Sequence, residues 1–128
     1  MKPATRLSLA LALCTTLGAR PMLAQQQRPI TQDDLYHFKW VADPQISPDG
    51  KQVAYVLVTI NAKHTGYETS IWTVPTDTAA TPRQLTAGPR DVSPRWSPDS
   101  RTLAFVRTEE KARPQIYVLS MQGGDARQ

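Results

Sequence analysis

Apolar positions in this chain fall into short runs broken by proline, glycine and aspartate. From Gln52 to Thr59 the residues alternate, with Val53, Tyr55 and Leu57 on one side and Ala54, Val56 and Val58 on the other. Both sides are apolar, which predicts a strand in a sheet covered on both faces. Further short strands are predicted up to Ile46 and over Ser70–Val74, Arg83–Thr86, Asp91–Trp96, Thr102–Arg107 and Gln115–Ser120. Turns are predicted at Pro48-Asp49-Gly50 and Pro98-Asp99-Ser100. Proline presets φ there, the aspartate side chain can bond the turn backbone, and Gly50 accepts a positive φ. Asn61–Glu68 reads as a polar loop, and Gly123-Gly124 as a hairpin turn before a further strand. One segment has helical spacing instead. Thr31 can cap it, Asp34 follows three residues on, and Leu35, Phe38 and Val41 form an apolar face expected to dock on the sheets. That helix is expected to end before Asp43-Pro44, because a residue ahead of proline is pushed out of the helical region.

The strand pattern occurs twice. Ile46-Ser47-Pro48-Asp49-Gly50-Lys51-Gln52-Val53-Ala54-Tyr55-Val56 returns as Trp96-Ser97-Pro98-Asp99-Ser100-Arg101-Thr102-Leu103-Ala104-Phe105-Val106. The two Ser-Pro-Asp motifs lie 50 residues apart, and the runs that begin at Ile71 and Ile116 lie 45 apart. A period of about 40–50 residues built from short strands marks the blades of a β-propeller. The expected fold is all-β, a partial propeller of two four-stranded blades over residues 43–128. Arg83 aligns with Arg127, so the second blade stops at Gln128, one residue before the counterpart of Leu85. The chain is therefore expected to be the front of a longer protein. The span from Ser47 to Ile71 is 24 residues and that from Ser97 to Ile116 is 19, which predicts a longer connecting loop in the first blade.

Ahead of the blades, residues 1–24 read as a secretory signal peptide. Lys2 and Arg6 form a basic start, Leu7 to Leu17 is almost wholly apolar or small, and cleavage is expected after Ala24. The apolar stretch is too short to span a bilayer, so no stable membrane anchor is expected. The expected location is therefore periplasmic or secreted, with residues 25–42 as a lead-in and short helix. The single cysteine, Cys14, lies within the signal. The mature chain then offers no disulfide, thiol nucleophile or thiolate metal site. Losing Lys2, Arg6 and Arg20 reduces Lys+Arg from 15 to 12 against 11 acidic residues, so the basic balance of the full chain says little about partners. No basic stripe with interleaved aromatics is left, and no nucleic-acid partner is expected.

Thr31-Gln32-Asp33-Asp34-Leu35, then Asp43-Pro44-Gln45-Ile46-Ser47-Pro48-Asp49-Gly50-Lys51, then Ser93-Pro94-Arg95-Trp96-Ser97-Pro98-Asp99 resemble the start of exported prolyl oligopeptidase family serine peptidases. The nearest branch is the acylaminoacyl-peptidase or dipeptidyl-aminopeptidase type, and the likeness covers Ile30 to Gln128. It implies a propeller acting as gate and scaffold over an α/β-hydrolase domain that hydrolyses short peptides. The serine of such a domain sits in a Gly-x-Ser-x-Gly elbow beside an oxyanion hole, with Asp and His completing the triad. No serine of this chain stands in that spacing, so no catalytic residue is assigned. The competing reading is a TolB-like periplasmic binding propeller without enzymatic activity; another is a truncated reading frame.

The remaining candidates have structural readings. His37 and His64 have no second ligand at metal spacing and read as surface histidines, so no metal site is expected. Glu109 and Glu110 could hold a substrate amino terminus, as a glutamate pair does in some dipeptidyl peptidases of the family; between Thr108 and Lys111 they read as a solvated loop. Asp49 and Asp99 could form a paired-carboxylate site, but their matching places read as turn chemistry. Tyr55, Trp72, Trp96, Phe105 and Tyr117 are expected in the core between blades. No Gly-rich phosphate loop is present, and no cofactor is expected.

Overall fold

A computed structural model describes residues 28–77 and 81–128. The expected signal peptide, its cleavage point and Cys14 lie outside the described residues. Helix α1 (Gln32–Tyr36) is followed by strands β1 (Lys39–Ile46), β2 (Gln52–Ile60), β3 (Tyr67–Pro75) and β4 (Arg83–Gln84). These four strands form one antiparallel sheet in sequence order. Strands β5 (Asp91–Trp96), β6 (Thr102–Arg107) and β7 (Gln115–Ser120) form a second. A bridge between Val118 and Arg127 starts a fourth strand in the register that Thr73 and Arg83 use in the first sheet. The two sheets are two consecutive blades.

The blades pack face to face. Ala54 and Ile71 on the first meet Leu103, Phe105 and Leu119 on the second, all of them buried, with Trp96, Tyr117 and Met121 half-buried around them; Val56 and Val58 are buried on the same face of β2 as Ala54. Alternation along β2 therefore divides its side chains between two roles. Even-numbered positions fill the interface, and Val53, Tyr55 and Leu57 lie half-buried on the outward face. Tyr55 and Trp72 pair across the ladder on that outward face, outside the core where all five aromatics were expected. Trp96, Phe105 and Tyr117 are at the interface as expected, with the last two rings stacked 5.8 Å apart.

Each blade also contains a kink. The register of β1 against β2 shifts between Ala42 and Gln45, where Asp43 takes φ +44° ahead of Pro44. The register of β5 shifts likewise between Val92 and Arg95, where Ser93 takes φ +56° ahead of Pro94. Proline has no N–H for the ladder, and a bulge accommodates it inside a strand.

Two local expectations are corrected. The helix covers only Gln32–Tyr36 with His37 as C-cap, and β1 starts at Lys39, inside the span expected to be lead-in and helix. Leu35, Phe38 and Val41 are about half exposed and form no docking face. An isolated helical turn is costly to nucleate. Residues 39–42 instead pair with Val56 to Thr59 of β2, so Asp43-Pro44 bends a strand rather than stopping a helix. The loop comparison also reverses. Strands β2 and β3 are nine residues each against six in β6 and β7, leaving residues 61–66 as the first connection and 108–114 as the second. The added residues of the first blade lengthen its hairpin, because Thr59 and Ile60 continue pairing with Glu68 and Tyr67.

Candidate functional site

Functional side chains gather at the two ends of the sandwich. At one end stand the Ser-Pro-Asp turns. Ser47 Oγ–H donates to Asp49 Oδ1 at 2.6 Å, and the same oxygen accepts the Lys51 N–H at 3.1 Å. Ser47 Oγ in turn accepts the Gln52 N–H at 2.9 Å. Ser97, Asp99, Arg101 and Thr102 repeat this arrangement with the same three distances. The serine hydroxyls, followed by these backbone N–H groups, hold Asp49 and Asp99 below the usual carboxylate range. Gly50 and Ser100 occupy the left-handed region at φ +72° and +59°. The two aspartates are therefore turn residues and not a paired acid site.

At the other end, the β2–β3 loop, the β4–β5 loop and the β6–β7 loop surround a cavity of about 570 Å³. Asn61, Lys63, Thr65 and Glu68 contribute from the first blade, and Arg90, Thr108 and Glu110 from the second side. The neighbouring glutamates separate: Glu110 lines the cavity, whereas Glu109 accepts the Tyr117 hydroxyl at 3.2 Å. Partial burial, then Glu109, raises the Tyr117 phenol above its usual range. His64 sits at the tip of the β2–β3 loop and stacks on Tyr36 of α1 at 3.8 Å with the rings nearly parallel. His37 Nδ1 lies 2.9 Å from the Asp33 carbonyl. Neither imidazole meets a serine hydroxyl among the described residues. No group of three or more His, Cys, Asp or Glu residues placed to hold a metal occurs among them either.

A buried ion pair was missed in the sequence. Arg107 donates from Nε and Nη2 to the two carboxylate oxygens of Asp91 at 2.7 and 2.8 Å. Asp91 is fully buried, and the guanidinium also lies 5.3 Å from the centre of Phe105 and 4.9 Å from that of Tyr117. Asp91 holds Arg107 more firmly protonated than usual. Gly88 closes over the pair: a Cβ there would stand 2.6 Å from both carboxylate oxygens. The signal lay in the strand limits. Asp91 opens β5, Arg107 closes β6, and antiparallel pairing sets them opposite one another. Opposite charges at matching ends of adjacent strands are a pairing signal.

No family model matches the chain. It is 41% identical over 98 residues to YuxL of Bacillus subtilis (strain 168), described as an uncharacterized peptidase; the match covers 77% of this chain and 15% of that protein. Among solved structures it is similar to the acylaminoacyl peptidase of Pyrococcus horikoshii, with TM-score 0.60 and 28% identity over 72% of this chain and 14% of that one. It is similar also to the β-propeller domain of the trilobed protease from Pyrococcus furiosus, with TM-score 0.55 and 28% identity over 70% of this chain and 27% of that domain. The chain is a propeller segment of the prolyl oligopeptidase family. This propeller segment spans 15% of the length of the curated peptidase it matches.

Proposed function

We propose that this segment belongs to an exported serine peptidase acting on short peptides, in which it forms part of a scaffold and gate over an α/β-hydrolase domain. The observation that carries the reading is the 41% identity to a peptidase over 98 residues, 77% of this chain. The cavity between the loops gives a gate its physical basis, since polar and charged groups of both signs line an opening at one end of the blades. The basic start and apolar core of residues 1–24 support export. Catalysis itself is assigned to another domain, because no described side chains form a nucleophile–base pair here.

Two measurements test the proposal. The reading frame directly downstream should encode a Gly-x-Ser-x-Gly elbow followed by aspartate and histidine, and further blades ending at a stop with no elbow would overturn the peptidase reading. Expression of the full chain in a bacterium, then N-terminal sequencing of the periplasmic fraction, should yield a start at Gln25. Intact Met1 in the cytoplasm would overturn export.

A further inference from the structure

The blades and the segment ahead of them are held by different means. Between the blades, the Trp96 indole N–H donates to the Gln45 carbonyl at 3.0 Å, the Asp49 N–H donates to Ser100 Oγ at 3.1 Å, and a shared apolar core lies beneath. Helix α1 buries no side chain. Its single turn is stiffened locally, because Asp34 accepts the Thr31 N–H at 2.7 Å and pairs with Arg28. What α1 offers the blades is the ring of Tyr36. That ring lies 3.8 Å from the imidazole of His64, with 5° between the two planes.

His64 is held in place for that contact. It takes φ +55°, in the left-handed region that is costly for residues other than glycine. Asn61 fixes it there. The Asn61 carbonyl accepts the His64 N–H at 2.9 Å, its side-chain oxygen accepts the Thr65 N–H at 3.0 Å, and its own N–H donates to the Gly66 carbonyl at 2.9 Å. Such a conformation persists where surrounding bonds over-determine it. The same loop forms one wall of the cavity through Asn61, Lys63 and Thr65, so His64 stands in the chain between two cavity residues. The facing wall is fixed by the main chain, since Pro89 accepts the Thr69 N–H at 3.0 Å and Arg90 accepts the Thr108 N–H at 3.1 Å. One wall of the cavity is therefore rigid, and the other is tied to α1.

We propose that the Tyr36–His64 stack is a latch that couples the segment ahead of the blades to the shape of the cavity, so that displacing either one loosens the other. The strength of an aromatic pair suits a latch, because it favours the closed state by only roughly two- to tenfold. Whatever moves the loop at residues 61–66 thus frees α1, and a pull on α1 relaxes that wall of the cavity. The blades keep their register in both states, since their links lie elsewhere. The inference rests on the stack and the loop and is independent of the peptidase reading.

Amide exchange in the full chain, resolved by NMR, tests the coupling. His64→Asn removes one ring and keeps a residue that accepts the left-handed region; Tyr36→Ala removes the other ring. His64→Asn should speed exchange of the His37 and Phe38 amides, which are bonded within α1. Tyr36→Ala should speed exchange of the His64 and Thr65 amides on the opposite side of the stack, and each acceleration should be roughly two- to tenfold. The two changes together should act no more strongly than one, and Tyr36→Phe, which keeps the stack, should leave both pairs of amides as they are. The Ile71 and Phe105 amides report on the blades and should keep their rates in every variant. The proposal is overturned if either substitution acts only within its own element, or if Tyr36→Phe loosens the loop as much as Tyr36→Ala. Equal acceleration at Ile71 and Phe105 would also overturn it, since that marks general unfolding.

Discussion

Replacing Gly88 by alanine isolates the buried ion pair. Gly88 is not in the left-handed region, so alanine brings no backbone strain, and its reduced freedom in the unfolded chain should stabilise by about 0.4–1 kcal/mol. The new methyl group, however, would lie 2.6 Å from both Asp91 oxygens and 2.8 Å from Arg107 Nε. Ordinary contact begins at 3.4 Å, so the carboxylate must retreat by about 0.8 Å from a site where it has no solvent to enter. Removing one partner of a buried pair costs about 3–5 kcal/mol, and displacing it forfeits much of that. A net loss of about 2–4 kcal/mol is expected after the entropic gain, a large part of the 5–15 kcal/mol typical of a domain, roughly speaking. Urea unfolding followed by tryptophan emission measures it. The decisive comparison repeats Gly88→Ala in an Asp91→Ala background, where the freed Arg107 can swing aside and the cost should drop below about 1 kcal/mol. An equal cost in both backgrounds would refute the role given to the ion pair.

Phe105→Ala should destabilise by about 3–5 kcal/mol in the same assay, because it empties the centre of the interface between blades; a loss below about 1 kcal/mol would show that the core lies elsewhere. Trp96→Phe should cost about 1 kcal/mol by leaving the Gln45 carbonyl without its indole donor, and no change in the urea midpoint would argue against that bond. Acid should weaken the fold. Asp43 is held low chiefly by Arg95, and Asp49 and Asp99 chiefly by their serine hydroxyls. A carboxyl depressed in the folded state stabilises it above the unfolded value, about pH 3.9, and that contribution is lost as the pH falls through the folded value. The thermal midpoint should therefore drop below about pH 4. Ser47→Ala with Ser97→Ala should shrink the drop, and a midpoint that rises on acidification would contradict the assignment.

The sequence was most informative where local and long-range demands coincide. Strands β5, β6 and β7 begin and end where the sequence places them, because each is short, bounded by turn residues and paired at both of its ends. It misled at Leu35, Phe38 and Val41, whose helical spacing is outweighed by the ladder that Lys39 to Ala42 form with β2. Tyr67 and Glu68 read as loop for a related reason: residues in a polar stretch reveal little about pairing until their partners Ile60 and Thr59 are known. The two turns were legible down to their hydrogen-bonding aspartates. The cavity was not, since it is assembled from three loops distant in the chain, and neither was the Gly88 contact, which depends on where Asp91 and Arg107 meet.

The two ends of the sandwich differ in what they will tolerate. At the Ser-Pro-Asp end, Ser47 and Asp49 to Gln52 are each tied by a side-chain or backbone bond, and the Asp49 N–H is committed to Ser100 across the interface. A tag, label or inserted sequence there would break both a turn and the link between blades. The opposite end offers exposed tips at Lys63-His64 and Lys111-Ala112, each with one residue already in the left-handed region and flanked by strands that close without it. Grafted peptides, fluorophores or protease sites belong at those tips, where the blades can carry new cargo without surrendering their register.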